Sequence, residues 1–333
     1  MAERMDVEQA EALVRQALGG VGVSAQNAAS VARALVAAEI DGQAGHGFSR
    51  VAAYVAQARS GKVDGTARPE VARIAPGTLL VDAANGFAYP AIDLAIEALA
   101  ETAASQGIAL AGIRRSHHCG QLGAHVERLA ERGLVAMMVG NSPKAMAPWG
   151  GGAAVFGTNP IAFAAPRDGA PPMVVDLSLS KVARGKIMAA AKAGTPIPEG
   201  WALDTDGRAT TDAAAALKGT MIPAGDAKGA ALALMVEILS APLIGANASY
   251  EASSFFDAEG PSPGVGQTLI AIRPLASDFA PRLEALFSEI AAQHGARLPG
   301  AGKAAARARA AAEGIEIPDH LLAEIRALGT AEG

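Results

Sequence analysis

Residues 78–113, TLLVDAANGFAYPAIDLAIEALAETAASQGIALAGI, indicate the fold class most directly. A short apolar run at Leu79–Val81 precedes a long segment with apolar residues at helical spacing, and a second apolar run occupies Ile108–Ile113. Pro90 suits the first turn of the helix between them, and Gly107 suits its C-terminal end. The stretch therefore predicts a strand, a helix and a second strand, as expected of an α/β protein.

The same alternation continues towards the C-terminus, whereas the N-terminal segment is helical in pattern. Apolar residues recur at helical spacing over residues 7–18, and Ser24 is suited to cap a helix that ends near Asp41. Further strands are expected at Leu134–Val139, Ile161–Ala164, Met173–Val175 and Thr268–Ile272. Further helices are expected at 51–58, 123–132, 186–193 and 228–240, and again in the tail from 278 to 328.

Helical ends around a mixed middle indicate two lobes. We expect residues 1–75 and 276–333 to form one helical lobe that is built from both termini. Residues 76–275 are expected to form an α/β lobe. The chain has 333 residues, which is long enough for two lobes, and its sequence contains no internal repeat.

Composition excludes several classes of protein. Half of the residues are hydrophobic and 18% are charged, which favours a soluble globular protein over a disordered one. The net charge is −5 and only 4% of the residues are aromatic, so nucleic-acid binding is disfavoured. The N-terminus lacks the apolar core of a signal peptide, and the most apolar stretch, residues 230–246, is interrupted by Glu237 and Pro242. We therefore expect a cytoplasmic protein that does not bind membranes.

Cys119 is the only cysteine of the sequence. A disulfide within the chain is impossible, and a zinc site built on cysteines is implausible. No metal site is predicted.

Residues 41–50, DGQAGHGFSR, place a histidine between two glycines, with an arginine four residues later. The imidazole of His46 suits proton transfer near neutral pH, and the guanidinium of Arg50 matches a carboxylate with two parallel hydrogen bonds. Gly45 and Gly47 add no Cβ atom that would crowd a ligand. The segment indicates half of an active site for a small organic acid. The alternative is a helix end followed by a loop whose histidine and arginine face water.

Several further segments complete a pattern. They are 115–120 (RSHHCG), 141–152 (NSPKAMAPWGGG), 156–160 (FGTNP), 175–178 (VDLS), 183–187 (ARGKI) and 225–229 (GDAKG). With residues 41–50, they resemble the type-2 malate/L-lactate dehydrogenase family. This family comprises NAD(P)-dependent oxidoreductases and includes sulfolactate, ureidoglycolate and diketogulonate dehydrogenases and cyclic imino-acid reductases. The resemblance runs from about His46 to the turn at residues 297–300.

The resemblance implies a cofactor that the residues alone do not reveal. No Gly-x-Gly-x-x-Gly follows a strand and opens a helix, and the glycines at 150–152 are not followed by a helical pattern. A Rossmann fingerprint is therefore absent. What the resemblance implies instead is a non-Rossmann lobe, with a largely antiparallel or mixed sheet, that binds NAD or NADP. It also implies a homodimer whose active site lies at a lobe boundary.

The resemblance implies roles for three residues of the catalytic centre. His46 matches the proton donor and acceptor, and Arg50 matches the group that binds the substrate carboxylate. Two histidines on one substrate oxygen would be redundant, so His118 is interpreted as a polarising group or a cofactor contact beside His46. His117 and His125 are expected to be structural. Without the family pattern, His46 would be a loop histidine and Arg50 a surface charge.

Further contacts with ligands are implied by the same motifs. Thr158, on the turn Gly157–Pro160, suits a substrate carboxylate or the cofactor amide, although an Asn-Pro turn is common in itself. Lys228 stands where a helix begins, and a helix N-terminus favours a phosphate group; the alternative is a lysine in water. The full set of cofactor contacts implied by the resemblance is His118, Gly120, Asn141, Asp176, Leu177, Ser178 and Lys228.

The chain departs from the family at positions that bear on its substrate. Many members have serine where this chain has Gly45, and histidine where it has Ala227. In imino-acid reductases of the family, that serine and an aspartate after Ala-Arg-Gly are thought to tune the catalytic proton. Here the second position is Lys186, which with Arg184 adds positive charge near the expected substrate.

We therefore expect a small 2-oxo or 2-hydroxy acid with a second anionic group, malate-like or sulfolactate-like. The alternatives are a cyclic imino acid such as Δ1-piperideine-2-carboxylate or Δ1-pyrroline-2-carboxylate, and a non-catalytic binding protein. The presence of His46 and Arg50 argues against the last. The choice between NAD and NADP stays open, with Arg297, Lys303 and Arg307 as candidates to bind a 2′-phosphate.

Overall fold

The structure, a computed structural model, describes residues 3–330. Its strands are β1 (Glu3–Met5), β2 (Glu70–Ala75), β3 (Thr78–Asp82), β4 (Ile108–Ser116), β5 (Val135–Gly140), β6 (Ile161–Ala165), β7 (Met173–Leu177), β8 (Ala202–Leu203), β9 (Ala209–Thr210), β10 (Thr220–Met221), β11 (Val265–Ile272) and β12 (Ile315–Ile317). Its α-helices are α1 (Val7–Gly19), α2 (Ala25–Ile40), α3 (Val51–Ser60), α4 (Ala88–Gln106), α5 (Leu122–Ala130), α6 (Arg184–Ala193), α7 (Ala213–Lys218), α8 (Ala227–Ser240), α9 (Phe279–Ala291), α10 (Lys303–Glu313) and α11 (Asp319–Thr330). Two short 3-10 helices span Ala44–His46 and Phe48–Arg50.

A seven-stranded mixed sheet forms the middle of the molecule. Its strand order is β2-β3-β4-β11-β5-β6-β7, and β3 and β4 are parallel while the other neighbours are antiparallel. The parallel pair is joined by α4, so the strand, helix and strand expected from residues 78–113 are confirmed. Sheet and helical ends together confirm the expected fold class: an α/β protein with a mixed sheet and no Rossmann fingerprint.

Helices cover the sheet on the side of its main core. Apolar residues of α4 and α5 pack with inward residues of the sheet, among them Ile96, Leu99 and Met138, all fully buried. Gly107 ends α4 with a left-handed backbone (φ +82°), as the sequence predicts. Helix α8 contacts β5 and β11. Near the C-terminal end of α8, the Leu239 carbonyl accepts a hydrogen bond from the Thr268 hydroxyl of β11.

Both termini meet in a helical body. Strand β1 pairs with β12 in antiparallel register, Glu3 opposite Ile317, which joins the start of the chain to its tail. Apolar side chains of α1, α2, α3 and α11 form one core, with Leu18, Leu35 and Tyr54 fully buried. Ser24 caps α2 by accepting from the Asn27 amide, as expected.

We propose the division into residues 1–75 and 276–333 on one side and 76–275 on the other. Residues 1–2 and 331–333 lie outside the described residues. Strand β2, at the proposed boundary, pairs with β3 and so lies at the edge of the large sheet. Every residue of β2 is exposed, and its sequence, EVARIA, does not alternate between apolar and polar residues in the way that would have predicted a strand.

The tail differs in one respect from the expectation of continuous helices over 278–328. Residues Ile315–Ile317 form strand β12 between α10 and α11. Three residues are too few for a periodic pattern, and only pairing with the distant β1 makes them a strand.

Residues 3–330 contain neither a membrane-spanning helix nor a cluster of metal-ligating side chains. None of the helices in this range is long and apolar enough to cross a membrane. The same range contains no group of three or more His, Cys, Asp or Glu side chains that is placed to hold a metal ion.

Candidate active site

Two consecutive 3-10 turns present His46 and Arg50. Helix α2 ends at Ile40, and the chain then turns through Ala44–His46 and Phe48–Arg50 into α3. The Phe48 amide donates to the Glu39 carboxylate at 3.0 Å, which fixes the second turn against the end of α2. A Cβ atom at Gly47 would lie 2.1 Å from that carboxylate, so glycine permits the close approach.

His46 lies against His118. Nδ1 of His46 is 3.1 Å from Nε2 of His118, and the two rings are nearly parallel, with an interplanar angle of 14°. His118 follows strand β4, whereas His46 follows α2, so the pair joins the sheet to the helical body. His46 is partly buried and His118 is buried.

Two tyrosines extend this contact into the protein interior. The Tyr54 hydroxyl lies 2.6 Å from Nδ1 of His118 and 3.1 Å from the Tyr89 hydroxyl. Gly120 has a left-handed backbone (φ +66°), and a Cβ atom there would lie 2.8 Å from the Tyr89 hydroxyl. Glycine at 120 therefore serves the packing of this chain of polar groups.

Burial and a nearby cation keep both imidazoles neutral. Burial, followed by the charge of Arg50, lowers the pKa of His46 to about 4. The same two causes hold the pKa of His118 well below its ordinary value. At pH 7 each ring therefore has one hydrogen and one lone pair. A neutral His46 has a lone pair that can accept a proton. An anion that offsets the charge of Arg50 would raise the pKa of His46.

Arg50 has a free hydrogen-bonding edge. Its Nε donates to the Gly45 carbonyl at 2.7 Å, and its guanidinium stacks on the Phe256 ring, 4.7 Å from the centroid. No carboxylate within residues 3–330 forms an ion pair with it. The remaining N–H groups of the fork are therefore available for an anion.

A loop that precedes β11 covers the histidines. Phe255 lies 5.2 Å from the ring of His117 and 5.3 Å from that of His118. Asp257 forms an ion pair at 3.0 Å with the fully buried ammonium of Lys62, which anchors the loop on the helical body. The loop thus excludes water from the inner side of the histidine pair.

His117 and His125 do not join this arrangement. His117 is fully buried among aromatic rings, and neither of its nitrogens has a hydrogen-bond partner among the described residues. Nε2 of His125 lies 2.8 Å from the Cys119 carbonyl, to which it donates within the α5 packing. The expectation that both rings are structural stays a prediction.

A second group of the expected residues lies near the start of α5. The Asp176 carboxylate accepts from the Gly123 amide at 2.7 Å, near the start of α5, and burial raises its pKa. Leu177 and Ser178 beside it are exposed. Gly123 is five residues after His118, so its hydrogen bond to Asp176 holds the end of β7 against the segment that follows this histidine.

Thr158 stands on a turn that is held from two sides. Its amide donates to the Ser142 hydroxyl at 3.1 Å, and its carbonyl accepts from the Leu179 amide at 2.9 Å. The next residue, Asn159, has a left-handed backbone (φ +38°) and donates from Nδ2 to Glu237. The Thr158 side chain is partly exposed, with the Ser142 hydroxyl 3.4 Å away.

Asn141 is occupied by internal contacts. Its Nδ2 donates to the Asn247 carbonyl at 2.8 Å, and its Oδ1 accepts from the Gly266 amide at 2.9 Å. The side chain is buried at the end of β5. In this structure the amide of Asn141 therefore holds the loop at Asn247 to the sheet.

Two cationic sites lie near exposed helix starts. Lys228 is exposed in the first turn of α8, whose preceding residue Asp226 forms no side-chain cap. Arg184 opens α6 and is half-buried, which lowers its pKa, and no hydrogen bond or ion pair engages it within residues 3–330. Lys186, two residues further along α6, is exposed. No hydrogen bond or ion pair in this range connects these groups to the histidine pair.

Lys303 and Arg307 are engaged elsewhere. Arg307 donates to Asp41 and to Glu127, and Lys303 lies 3.2 Å from the Asp41 carboxylate. These contacts dock α10 on the segment before His46 and on α5. Arg297, the third candidate for a 2′-phosphate, is exposed.

Comparison with known proteins places the chain in one family. A sequence profile of malate/L-lactate dehydrogenase matches residues 5–326. The chain belongs to the malate/L-lactate dehydrogenase family. The resemblance drawn from the motifs is thereby confirmed.

Relatives within this family differ in the substrates for which they are named. The chain is 51% identical to a (2R)-3-sulfolactate dehydrogenase (NADP(+)) of Chromohalobacter salexigens, over 98% of each chain. It is 44% identical to a Δ1-pyrroline-2-carboxylate/Δ1-piperideine-2-carboxylate reductase of Pseudomonas aeruginosa, over 98% of this chain and 99% of that protein. A crystal structure of Δ1-piperideine-2-carboxylate reductase from Pseudomonas syringae pv. tomato is 39% identical and superposes with a TM-score of 0.92, covering 98% of this chain and 99% of that one.

Proposed function

We propose that this protein is an NAD(P)-dependent oxidoreductase that interconverts a small 2-oxo acid and the 2-hydroxy acid. The observation that carries the proposal is the pairing of His46 with an unpaired guanidinium. An imidazole with one free nitrogen lies beside Arg50, which has no carboxylate partner among residues 3–330. A proton-transfer group next to an anion clamp suits a substrate with a carboxylate adjacent to its reacting carbon.

In the proposed mechanism Arg50 binds the substrate carboxylate and His46 exchanges a proton with the substrate oxygen. Anion binding removes the electrostatic effect of Arg50, which is the second cause of the low pKa of His46. The pKa of His46 then rises, which favours the protonated form that donates to the oxygen during reduction. In the oxidative direction a neutral His46 accepts the hydroxyl proton. The Phe255 ring packs against His118 on the inner side of this site.

The cofactor supplies or accepts the hydride when it is bound. The chain has features that fit it: the start of α8 has no side-chain cap and has exposed Lys228 beside it, as a pyrophosphate requires. Asp176, at the end of β7, retains a second carboxylate oxygen that suits a ribose hydroxyl. We propose that these two residues, with Gly120, Leu177, Ser178 and His118, hold the cofactor.

We propose a substrate with a second anionic group. Arg184 supports this proposal, because a half-buried guanidinium that has no carboxylate partner among residues 3–330 favours an anionic ligand. Lys186 adds a second positive charge in the same helix. Thr158 is the proposed hydroxyl contact. The sulfolactate dehydrogenase relative is named for a substrate of this class.

A cyclic imino acid is the second candidate. The relatives named as Δ1-pyrroline-2-carboxylate and Δ1-piperideine-2-carboxylate reductases favour it. Arg50 would bind the ring carboxylate in the same way. Gly45, however, offers no hydroxyl beside His46, and Lys186 offers no carboxylate.

We further propose a cytoplasmic homodimer. One face of α8 presents exposed apolar side chains to solvent: Leu232, Leu234, Met235 and Ile238. A contiguous apolar face of this kind favours association with a second copy. Light scattering coupled to size exclusion tests the proposal; a monomer at micromolar concentration would contradict it.

Competition between substrates tests the proposed function. We expect oxidation of NADPH or NADH in the presence of sulfopyruvate or oxaloacetate, with kcat/KM above that for Δ1-piperideine-2-carboxylate. Each substrate is measured with each nucleotide under one set of conditions. A kcat/KM for the imine above that of both dianions would replace the first candidate by the second.

A further inference from the structure

A buried chain of four side chains leads from His46 into the helical body. Its links are His46 Nδ1 to His118 Nε2 at 3.1 Å, His118 Nδ1 to the Tyr54 hydroxyl at 2.6 Å, and Tyr54 to the Tyr89 hydroxyl at 3.1 Å. Both tyrosines and His118 are buried. Burial raises the pKa of each tyrosine above its ordinary value, so both stay protonated.

A neutral His118 has one ring hydrogen, so its links to His46 and Tyr54 can be ordered in only two ways. In the first order, His118 Nε2 donates to His46 Nδ1, Tyr54 donates to His118 Nδ1, and Tyr89 donates to Tyr54. The hydrogen of a neutral His46 then lies on Nε2. In the second order His46 donates from Nδ1 and His118 Nδ1 donates to the Tyr54 oxygen, so the hydrogen bond between the two tyrosines can run in either direction.

The charge on His46 selects between the two orders. A protonated His46 has hydrogens on both nitrogens, so it must donate to His118 and the second order is imposed. That order places a hydrogen on His118 Nδ1, and Tyr54 is the acceptor that receives it. For a neutral His46 the first order is favoured, because in the second order one of the two tyrosine hydroxyl hydrogens has no acceptor among the described residues.

We propose that Tyr54 is a positioning residue that sets which nitrogen of His46 has the hydrogen and stabilises the protonated, proton-donating form. Tyr89 orders Tyr54 in turn. The catalytic part of this inference rests on the proposed function, whereas the hydrogen order concerns the protein without ligands. Tyr54 touches neither substrate nor cofactor in the proposal and acts through His118.

Other charged and titratable groups lie near these four side chains. The charge of Arg50 acts on His46, His118 and Tyr54, and His117 acts on His118. Lys62 acts on His117, Cys119 acts on Tyr54, and Glu39 accepts from the Phe48 amide. Tyr54→Phe leaves all of these side chains in place. A change confined to that hydroxyl therefore isolates its effect on His46.

The protein has three tyrosines, which provide two test variants and a control. Tyr54→Phe and Tyr89→Phe each remove one hydroxyl from the buried chain, and Tyr250→Phe removes one from a side chain that is 58% exposed. Nitrogen-15 NMR of histidine-labelled protein without ligands reports which ring nitrogen has the hydrogen. With only six histidines in the sequence, single His→Gln variants assign the resonances.

At pH 7 we expect the wild type and Tyr250→Phe to show the hydrogen of His118 on Nε2, with a hydrogen-bonded lone pair on Nδ1. In Tyr54→Phe the Nδ1 resonance should shift and the preference for one tautomer should weaken. A wild-type His118 with its hydrogen on Nδ1 would overturn the proposed order. An unchanged Nδ1 resonance in Tyr54→Phe would overturn the role of Tyr54.

The pH profile of the reductive reaction supplies the second readout. Loss of the Tyr54 acceptor should move the apparent pKa on the alkaline limb of kcat/KM down by about one unit, the size of one hydrogen bond next to a charge. Tyr89→Phe should shift it less, and Tyr250→Phe should not shift it. A Tyr54→Phe profile with an unmoved pKa and uniformly lower kcat would show a merely structural role. If Tyr54→Phe does not fold, Tyr89→Phe carries the same comparison: an unshifted profile there would overturn the proposal.

The two readouts separate this inference from the proposed function. The NMR result needs no substrate or nucleotide. Absence of activity with every oxo acid and imine would reject the proposed function, and the hydrogen order would still be measured. Activity together with an unperturbed tautomer would reject the role of Tyr54 alone.

Discussion

Nδ1 of His46 lies 3.1 Å from Nε2 of His118, so the two imidazoles share a single hydrogen. This contact explains how two histidines can serve one site without redundancy. Only His46 keeps a free nitrogen for a ligand, because both nitrogens of His118 are engaged, one with His46 and one with Tyr54. We therefore propose His46 as the group that exchanges the proton and His118 as the group that orients it.

Replacing Arg50 should separate substrate binding from cofactor binding. Arg50→Met removes the charge-assisted pair with the substrate carboxylate, worth about 1.5–3 kcal/mol, so KM for the acid should rise by at least about tenfold. KM for the nicotinamide nucleotide should change little. Initial rates with each substrate varied in turn give both constants.

Arg50→Lys is the matched control for this prediction. It keeps the charge but loses the planar fork, which donates to Gly45 and stacks on Phe256. We expect an intermediate KM for the acid. Equal losses of affinity for acid and nucleotide in Arg50→Met would show that Arg50 supports the loop or the cofactor instead.

Histidine burial should make the protein less stable in acid. Burial lowers the pKa of His125 to about 4 from 6.5. Between these two values the unfolded state binds more protons than the folded state, so the stability is present above pH 6.5 and is lost as the pH falls. In the wild type the free energy of unfolding should fall by up to about 3 kcal/mol from this cause as the pH falls, and His125→Gln should not show this part of the fall. Urea unfolding of both proteins from pH 7 to pH 4 measures it, and parallel curves would contradict the prediction.

Arg307 should matter for stability and not for the choice of nucleotide. It binds Asp41, whose side chain is 1% exposed, and Glu127, so Arg307→Met leaves buried carboxylates short of a partner. Removal of one partner of a buried ion pair lowers the free energy of unfolding by up to about 3–5 kcal/mol. The effect should be smaller here because Arg307 is itself 38% exposed. The ratio of kcat/KM for NADPH to that for NADH should stay unchanged.

An exposed ion pair provides the control for Arg307. Arg282 pairs with Asp278 one turn away on the surface, and Arg282→Met should cost about 0–1 kcal/mol. Thermal unfolding of the two variants compares them directly. If Arg307→Met unfolds like Arg282→Met and loses its preference for one nucleotide, Arg307 binds the 2′-phosphate.

The sequence predicts the large sheet and its helices because their patterns are long. Residues 78–113 contain two apolar runs, a proline and a glycine that each favour one local structure. The short strands β1 and β12 escape prediction because each depends on pairing across the whole chain. The fully exposed strand β2 escapes it because neither of its faces is apolar.

The candidate site is predictable only where its residues lie in one motif. His46 and Arg50 stand four residues apart, and the glycines around them mark the segment. Tyr54, Tyr89 and Phe255 come from three distant segments and have ordinary neighbours, so only the fold brings them to His118. Their aromatic character offers one hint, since only 4% of the chain is aromatic.

The proposal that His46 exchanges the substrate proton is tested most directly by the kcat of His46→Gln. Loss of a positioned general acid lowers kcat by about 10²–10⁴. We expect a fall of this size, with normal folding and unchanged nucleotide affinity, while His125→Gln, measured alongside at pH 7, keeps nearly the wild-type kcat. A wild-type kcat in His46→Gln with intact nucleotide binding would contradict the account and would move the chemistry to His118.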